Sequence, residues 1–264
     1  MFRSLLLLGT LLVAGHASPA RAGVLYAIDD TTNSLVTIDR TTGTLTTVGS
    51  TGVPSGNFGD LAYDSNSGTM YWTPGRGNSG LYRINLATGA ATLIGVTGLS
   101  ELFGLGFDTT NNVLYGNSSV NPDRLYRIST VNAAATLVGT NTLSQSALEY
   151  RGDTDTLYMM SPTGGLHSIN RSTGAATLIS AGAGSVSNND LAWDPELNAW
   201  WVVDWSGRVY SYAAGFNSRT MLVDHAIALD GVAYVGTAST STPEPASLAI
   251  LGIGLLGLRL ARRR

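Results

Sequence analysis

Leu81-Tyr82-Arg83-Ile84 is the stretch that sets the fold, because it does not stand alone. It returns as Leu125-Tyr126-Arg127-Ile128, Leu166-His167-Ser168-Ile169 and Val209-Tyr210-Ser211-Tyr212, and Leu35-Val36-Thr37-Ile38 is its earliest copy. A second run follows each time: Thr46-Thr47-Val48-Gly49, Thr92-Leu93-Ile94-Gly95, Thr136-Leu137-Val138-Gly139, Thr177-Leu178-Ile179-Ser180 and Thr220-Met221-Leu222-Val223. A third type ends in an aromatic: Leu61-Ala62-Tyr63, Leu105-Gly106-Phe107, Leu148-Glu149-Tyr150, Leu191-Ala192-Trp193 and Val232-Ala233-Tyr234. The fourth is Leu25-Tyr26, Met70-Tyr71, Leu114-Tyr115, Leu157-Tyr158 and Trp200-Trp201. Each type occurs five times, at spacings of 41 to 46 residues. Short β-branched and aromatic runs between Gly, Asn, Asp and Thr turns read as strands. Four strands per ~40–45 residues is the period of a propeller blade. The expected fold is all-β, a five-bladed β-propeller over residues 23–236.

The phase of the repeat predicts how the ring closes. The body begins with a fourth-type strand and ends with a third-type strand. With the third type innermost, the segment Val232–Val235 completes the blade begun by Leu25, Ile38 and Val48. Closure is then non-covalent, by pairing with Val24–Ile28, and no strand is left over.

The turns carry a family likeness. Ile38-Asp39-Arg40-Thr41-Thr42-Gly43, Ile84-Asn85-Leu86-Ala87-Thr88-Gly89 and Ile169-Asn170-Arg171-Ser172-Thr173-Gly174 resemble the repeats of bacterial propellers of the YVTN and NHL-like type. Blade three departs, with Asn132-Ala133 where Thr-Gly is expected. The likeness implies architecture, since several such families are uncharacterised. Asp64-Ser65-Asn66-Ser67-Gly68, and the Asp-rich loops after Phe107, Tyr150 and Trp193, read as Asx-turns. The first has an Asp-x-Asn-x-Gly core but lacks the later bidentate Glu of a calcium loop, so it reads as a turn.

Both ends carry addresses. Residues 1–22 have a positive Arg3, apolar runs Leu5–Leu8 and Leu11–Val13, and a small-x-small site Ala20-Arg21-Ala22; they read as a signal peptide with Gly23 as the mature N-terminus. A polar spacer, 237–242, precedes the tail at 243–264. That tail reads Pro243-Glu244-Pro245, an apolar run Ala246–Leu258, then Arg259, Arg262, Arg263 and Arg264. It resembles the C-terminal sorting tail of PEP-CTERM proteins. The run is short against the ~20 residues of a spanning helix, and the arginines suit a cytoplasmic flank. The resemblance implies an exosortase-type sorting protease as partner. It also implies a transient inner-membrane anchor through the C-terminal helix before processing, then a cell-surface or extracellular destination, often with exopolysaccharide and biofilm.

Composition narrows the function classes. The chain has no cysteine, so disulfides and thiolate chemistry are absent. Between Gly23 and Thr240 nine Arg stand against seventeen Asp plus Glu, a net of −8. That disfavours nucleic acid and anionic lipid as partners. No nucleophile elbow, metalloprotease helix or phosphate-cradling loop appears, and His167 takes a place held elsewhere by Tyr. No catalytic residue, metal or cofactor is expected.

The candidate ligand-binding residues are Asp60, Asp190 and Asp230, with Asn189 beside them, and Trp72 and Trp205. The three aspartates open third-type strands, so they are expected to meet at one mouth of the channel, although Asp230 is one residue out of register. They suit cation or sugar-hydroxyl binding, a glycosidase acid pair, or acceptance of backbone N–H groups from a neighbouring loop. Trp72 and Trp205 lie just beyond repeated positions and suit stacking on sugar rings. Three classes follow. The leading one is a surface or matrix protein whose propeller is a binding scaffold for exopolysaccharide or another protein. The others are a carbohydrate-active hydrolase and a purely structural matrix component.

Overall fold

The computed structural model describes residues 22–54, 58–120, 122–144, 147–186 and 188–236. The signal peptide apart from Ala22, the spacer and the sorting tail lie outside the described residues. Among those described, twenty strands form five four-stranded antiparallel sheets. Blade one is β20 (Leu229–Val235), β1 (Val24–Asp29), β2 (Ser34–Ile38) and β3 (Leu45–Ser50), from the axis outward. Blade two is β4 (Asp60–Asp64), β5 (Thr69–Thr73), β6 (Gly80–Ile84) and β7 (Ala91–Val96). Blade three is β8 (Leu102–Asp108), β9 (Val113–Ser118), β10 (Asp123–Ile128) and β11 (Ala135–Asn141). Blade four is β12 (Ala147–Arg151), β13 (Thr156–Met160), β14 (Leu166–Ile169) and β15 (Ala176–Ser180). Blade five is β16 (Asn189–Asp194), β17 (Ala199–Asp204), β18 (Arg208–Ala213) and β19 (Arg219–Asp224). The inner strands adjoin in the cycle β20, β4, β8, β12, β16 and back to β20.

Closure follows the phase of the repeat. Val24 pairs with Val235, Leu25 with Tyr234 and Ala27 with Val232. The first and last strands of the ring thus share one sheet, and no inner strand lacks an outward ladder partner.

Each strand type has its burial written in its sequence. Inner strands are short and apolar with Ala or Gly at the crowded axis, as in Leu61-Ala62 and Leu105-Gly106, and β8 and β16 are buried throughout. Outer strands alternate toward solvent, leaving Leu93, Leu137, Leu178 and Met221 exposed on the rim. The cores lie between blades. Met160 and Leu166 of blade four, for example, pack with Trp200, Tyr212 and Phe216 of blade five.

The outer seam depends on a close approach. A Cβ on Gly49 would strike the Thr88 carbonyl oxygen, and one on Gly139 the Thr173 carbonyl oxygen. The last residue of an outer run therefore lies against the Thr-Gly turn of the next blade. Blade three turns with Ala133 at φ 62 in place of the glycine, and its N–H still bonds the Ser129 carbonyl at 2.9 Å.

Candidate functional site

The innermost strand of each blade has a free edge facing the axis, and its N–H groups there need acceptors. Acidic side chains from the preceding blade supply them. Leu105 donates its backbone N–H to Asp60 at 2.8 Å, and Gly231 to Asp190 at 2.9 Å. Gly59 donates to Asp230, and Trp193 to Glu149 at 3.1 Å. Each bond crosses from one blade to the next, so the carboxyls stitch the axis.

The structure brings Asp60, Asp190 and Asp230 together on three consecutive blades. The register offset of Asp230 is absorbed by a bulge at Gly231, whose φ is +53°. Asp230 pairs with Ile28 while Tyr234 pairs with Leu25, matching Asp60 opposite Thr73 while Tyr63 pairs with Met70. The three carboxyls therefore lie at one level. Burial pushes all three well above the ordinary carboxylate range, and mutual repulsion adds to it. Asp190 and Asp230 are hydrogen-bonded to each other and titrate as a pair.

This mouth is plugged. The void beside Asp190 and Asp230 is about 10 Å³, bounded by Phe58, Phe103, Asn188 and Asn189. That is room for at most one water. Phe58 packs edge-on to Phe103 at 5.7 Å and against Trp205 at 4.7 Å, and the Arg76 guanidinium covers both phenyl rings. Asn189 is buried beside the acids, its amide donating to the Val186 carbonyl at 2.7 Å. Trp205 belongs to the plug. Trp72 requires a correction: it is 1 % exposed and packed on Tyr82, so neither ring face is open to a sugar. The residue just beyond a repeated strand position on β5 still points into an interblade core.

The open mouth is at the other end. A cavity of about 270 Å³ is lined by Tyr63, Phe107, Tyr150, Trp193 and Tyr234, one aromatic from each blade, with Glu149 among them. Ala62, Gly106, Ala192 and Ala233 hold the place of Glu149 in the other four blades, so the single long side chain meets only small neighbours there. Burial raises the Glu149 carboxyl to about 8. The Trp193 ring is 6 % exposed, with the Arg151 guanidinium 3.5 Å from its centroid. Its indole N–H has no acceptor among the described residues. Gly236, the last residue described before the spacer, also lines this mouth.

Sequence reasoning missed this mouth. The signal was present: with the third strand type innermost, its five terminal aromatics must ring the axis, and Glu149 is the one acid at a position otherwise Ala or Gly.

The remaining acids of the loops bind turns and arginines. Asp64 accepts the Asn66 N–H at 2.9 Å as an Asx-turn. Arg40 reaches from blade one to Asp194 of blade five at 2.8 Å, and Arg171 from blade four to Asp108 of blade three. His225 bonds the Gly43 carbonyl at 2.9 Å, and His167 the Gly165 carbonyl at 3.2 Å.

Comparison with known proteins agrees with this architecture. Residues 241–264 match the PEP-CTERM protein-sorting motif, and residues 14–99 match a domain of unknown function, DUF4394. A chain of a nidogen/laminin complex is similar in fold, with a TM-score of 0.54 at 12 % identity over 81 % of this chain and 99 % of that one. A protein of unknown function from Bacteroides thetaiotaomicron gives 0.53 at 17 % identity over 84 % of this chain and 67 % of that one. No curated protein matches the sequence. The chain carries a PEP-CTERM sorting motif on a five-bladed propeller body. The motif implies exosortase-dependent sorting and export.

Proposed function

We propose that the exported propeller is a non-catalytic binding scaffold, with the aromatic mouth as its ligand seat and a segment of exopolysaccharide as its ligand. The observation that carries the reading is the cavity itself: five aromatic side chains, one per blade, around the half-buried Glu149. Aromatic walls with few convergent polar groups are the usual make-up of a small-ligand site. The volume, about 270 Å³, lies just under the ~300–1,000 Å³ typical of drug-sized ligands and suits one sugar unit. The hydrolase reading is less well supported. Asp60, Asp190, Asp230 and Glu149 each accept a backbone N–H, and Asp153 at the rim is paired with Arg151 at 2.7 Å. No second carboxyl stands free across the cavity from Glu149 to complete an acid pair.

Glycan-array binding of the purified chain tests the reading, with Tyr63→Ala as the partner experiment. Specific glycan binding that this variant loses supports it. Release of shortened products from purified exopolysaccharide establishes the hydrolase instead. Retention of binding in Tyr63→Ala moves the seat elsewhere.

A further inference from the structure

We infer that the aromatic mouth takes a ligand bearing a free amine, specifically an amino sugar with an unacylated nitrogen, and that Glu149 is its counter-charge. The inference rests on the proposed reading of this mouth as the ligand seat and names the ligand's chemistry.

Charge is the first argument. The lining contains two acids, Glu149 and Asp153, and no Arg, Lys or His. Arg151 holds Asp153 through two bonds, at 2.7 and 2.8 Å. Glu149 has no such partner among the described residues: it accepts the backbone N–H groups of Trp193 and Tyr150, and no arginine pairs with it. A buried carboxylate without a counter-charge is costly, which is why this one holds its proton to about pH 8. An ammonium entering the cavity supplies the missing charge.

The walls are the second argument. A cation among aromatic side chains is attracted by the negative faces of the rings, most strongly where water is excluded. Tyr63, Phe107, Tyr150, Trp193 and Tyr234 surround Glu149; Arg151, Arg171 and Arg40 already stand over Trp193, Tyr150 and Tyr234, which leaves Tyr63 and Phe107 as the rings for a ligand cation. A neutral sugar would gain the stacking but form no ion pair with Glu149, which would keep its proton. An acidic sugar would meet Glu149, Asp153 and a body of net charge −8.

The third argument separates an amino sugar from a simple alkylamine. Sugar hydroxyls need partners that an alkylamine does not, and the hydroxyl side chains of Ser65 and Thr109 line the same cavity. A group with both an ammonium and nearby hydroxyls satisfies Glu149 and these two side chains together.

Binding also has a proton balance. At pH 7 most free chains hold Glu149 protonated, given its value of about 8. An ammonium beside it favours the carboxylate: a ligand that enters already charged sends the Glu149 proton to solvent, and one that enters as the free amine takes that proton itself.

Calorimetric titration of the detergent-solubilised full chain tests this with three tetrasaccharides: glucosamine, N-acetylglucosamine and glucose oligomers of equal length. The expected result is at least tenfold tighter binding of the glucosamine oligomer at pH 7. At about pH 5.5, where the sugar amine is already charged and Glu149 holds its proton, release of nearly one proton per ligand should accompany binding, measured in buffers of different ionisation enthalpy. Glu149→Gln keeps an acceptor for the Trp193 N–H and should reduce the glucosamine oligomer to the affinity of the acetylated one. Equal affinities for the three oligomers, lost in Tyr63→Ala, would overturn the amine inference and leave the seat standing. So would glucosamine binding that Glu149→Gln does not change. No binding of any oligomer overturns both. Glu149→Gln variants are compared only where their circular dichroism and melting match the parent; if they unfold, Tyr63→Ala and the proton count in the parent decide.

Discussion

The Asp190 carboxylate accepts the backbone N–H of Gly231 at 2.9 Å, joining the last complete blade to the strand that closes the ring. Gly231 is there only because the closing strand bulges, with φ at +53°, which returns Asp230 to the level of Asp60. One bond thus depends on a residue without a side chain and on an acid 41 positions earlier.

Asp190→Ala is expected to destabilise the ring by ~1–3 kcal/mol, the usual result of leaving a buried N–H unpaired. Asp190→Asn keeps an acceptor and removes the charge repelled by Asp60, so it should cost less at pH 7. Gly231→Ala should be as harmful as Asp190→Ala or worse, because a Cβ there would contact the Leu61 backbone 3.0 Å away and the positive φ disfavours it. Denaturant midpoints of the three variants check the order.

The pH dependence has a definite sign. Glu149 binds its proton more tightly folded than unfolded, rising from an ordinary 4.5 to about 8. Its contribution is therefore most favourable below pH 4.5 and is lost as pH rises toward 8. Asp60, Asp190 and Asp230 shift in the same direction for the same reason. The propeller is expected to tolerate mild acid better than mild alkali. Glu149→Gln should match the parent near pH 4.5 and exceed it by roughly 3–5 kcal/mol at pH 9, an increase of about 6–20 °C in Tm for a domain of this size. Melts across pH 4.5 to 9 measure the difference; a parent that gains stability with rising pH relative to the variant would refute the assignment.

At the outer seam, Gly139→Ala drives a methyl group into the Thr173 carbonyl of the next blade. The expected loss is ~1–3 kcal/mol, as for other overpacked sites. Gly98 makes a useful control: its φ is also positive, at 74°, but nothing lies within 4 Å of a Cβ there. Gly98→Ala should show the backbone cost alone, and the difference between the two variants isolates the seam.

Removal of Pro243–Arg264 should leave an exported protein that is no longer held at the membrane for processing. The sorting motif over 241–264 motivates the expectation. Fractionation of tagged full-length and truncated chains in a host with the sorting protease tests it. Identical distributions would mean the tail does not sort, and a membrane fraction still bearing a C-terminal tag would indicate a plain anchor.

The sequence by itself determined the number of blades, the order of strands within them and the way the ring closes. Each is a one-dimensional property: a period of 41–46 residues, four strand types, and a phase that starts on one type and ends on another. Turn chemistry at Asp39, Asn85 and Asn170 was legible for the same reason, since an Asx-turn is built from neighbours in the chain. What only the tertiary structure decided is which end of the channel is open. Asp60, Asp190 and Asp230 do converge, but Phe58, Arg76 and Trp205 from three separate loops and Phe103 from the start of β8 seal them in. Nothing in the local sequence of any one of these segments says that the other three meet it. Trp72 was misread for a related reason. Its place beyond the repeated Tyr is a fact of the chain, while its burial against Tyr82 depends on the facing sheet. Glu149 stands between these cases. Its oddness among Ala62, Gly106, Ala192 and Ala233 is visible in the repeat, but its meaning comes from the five aromatics that the closed ring gathers around it.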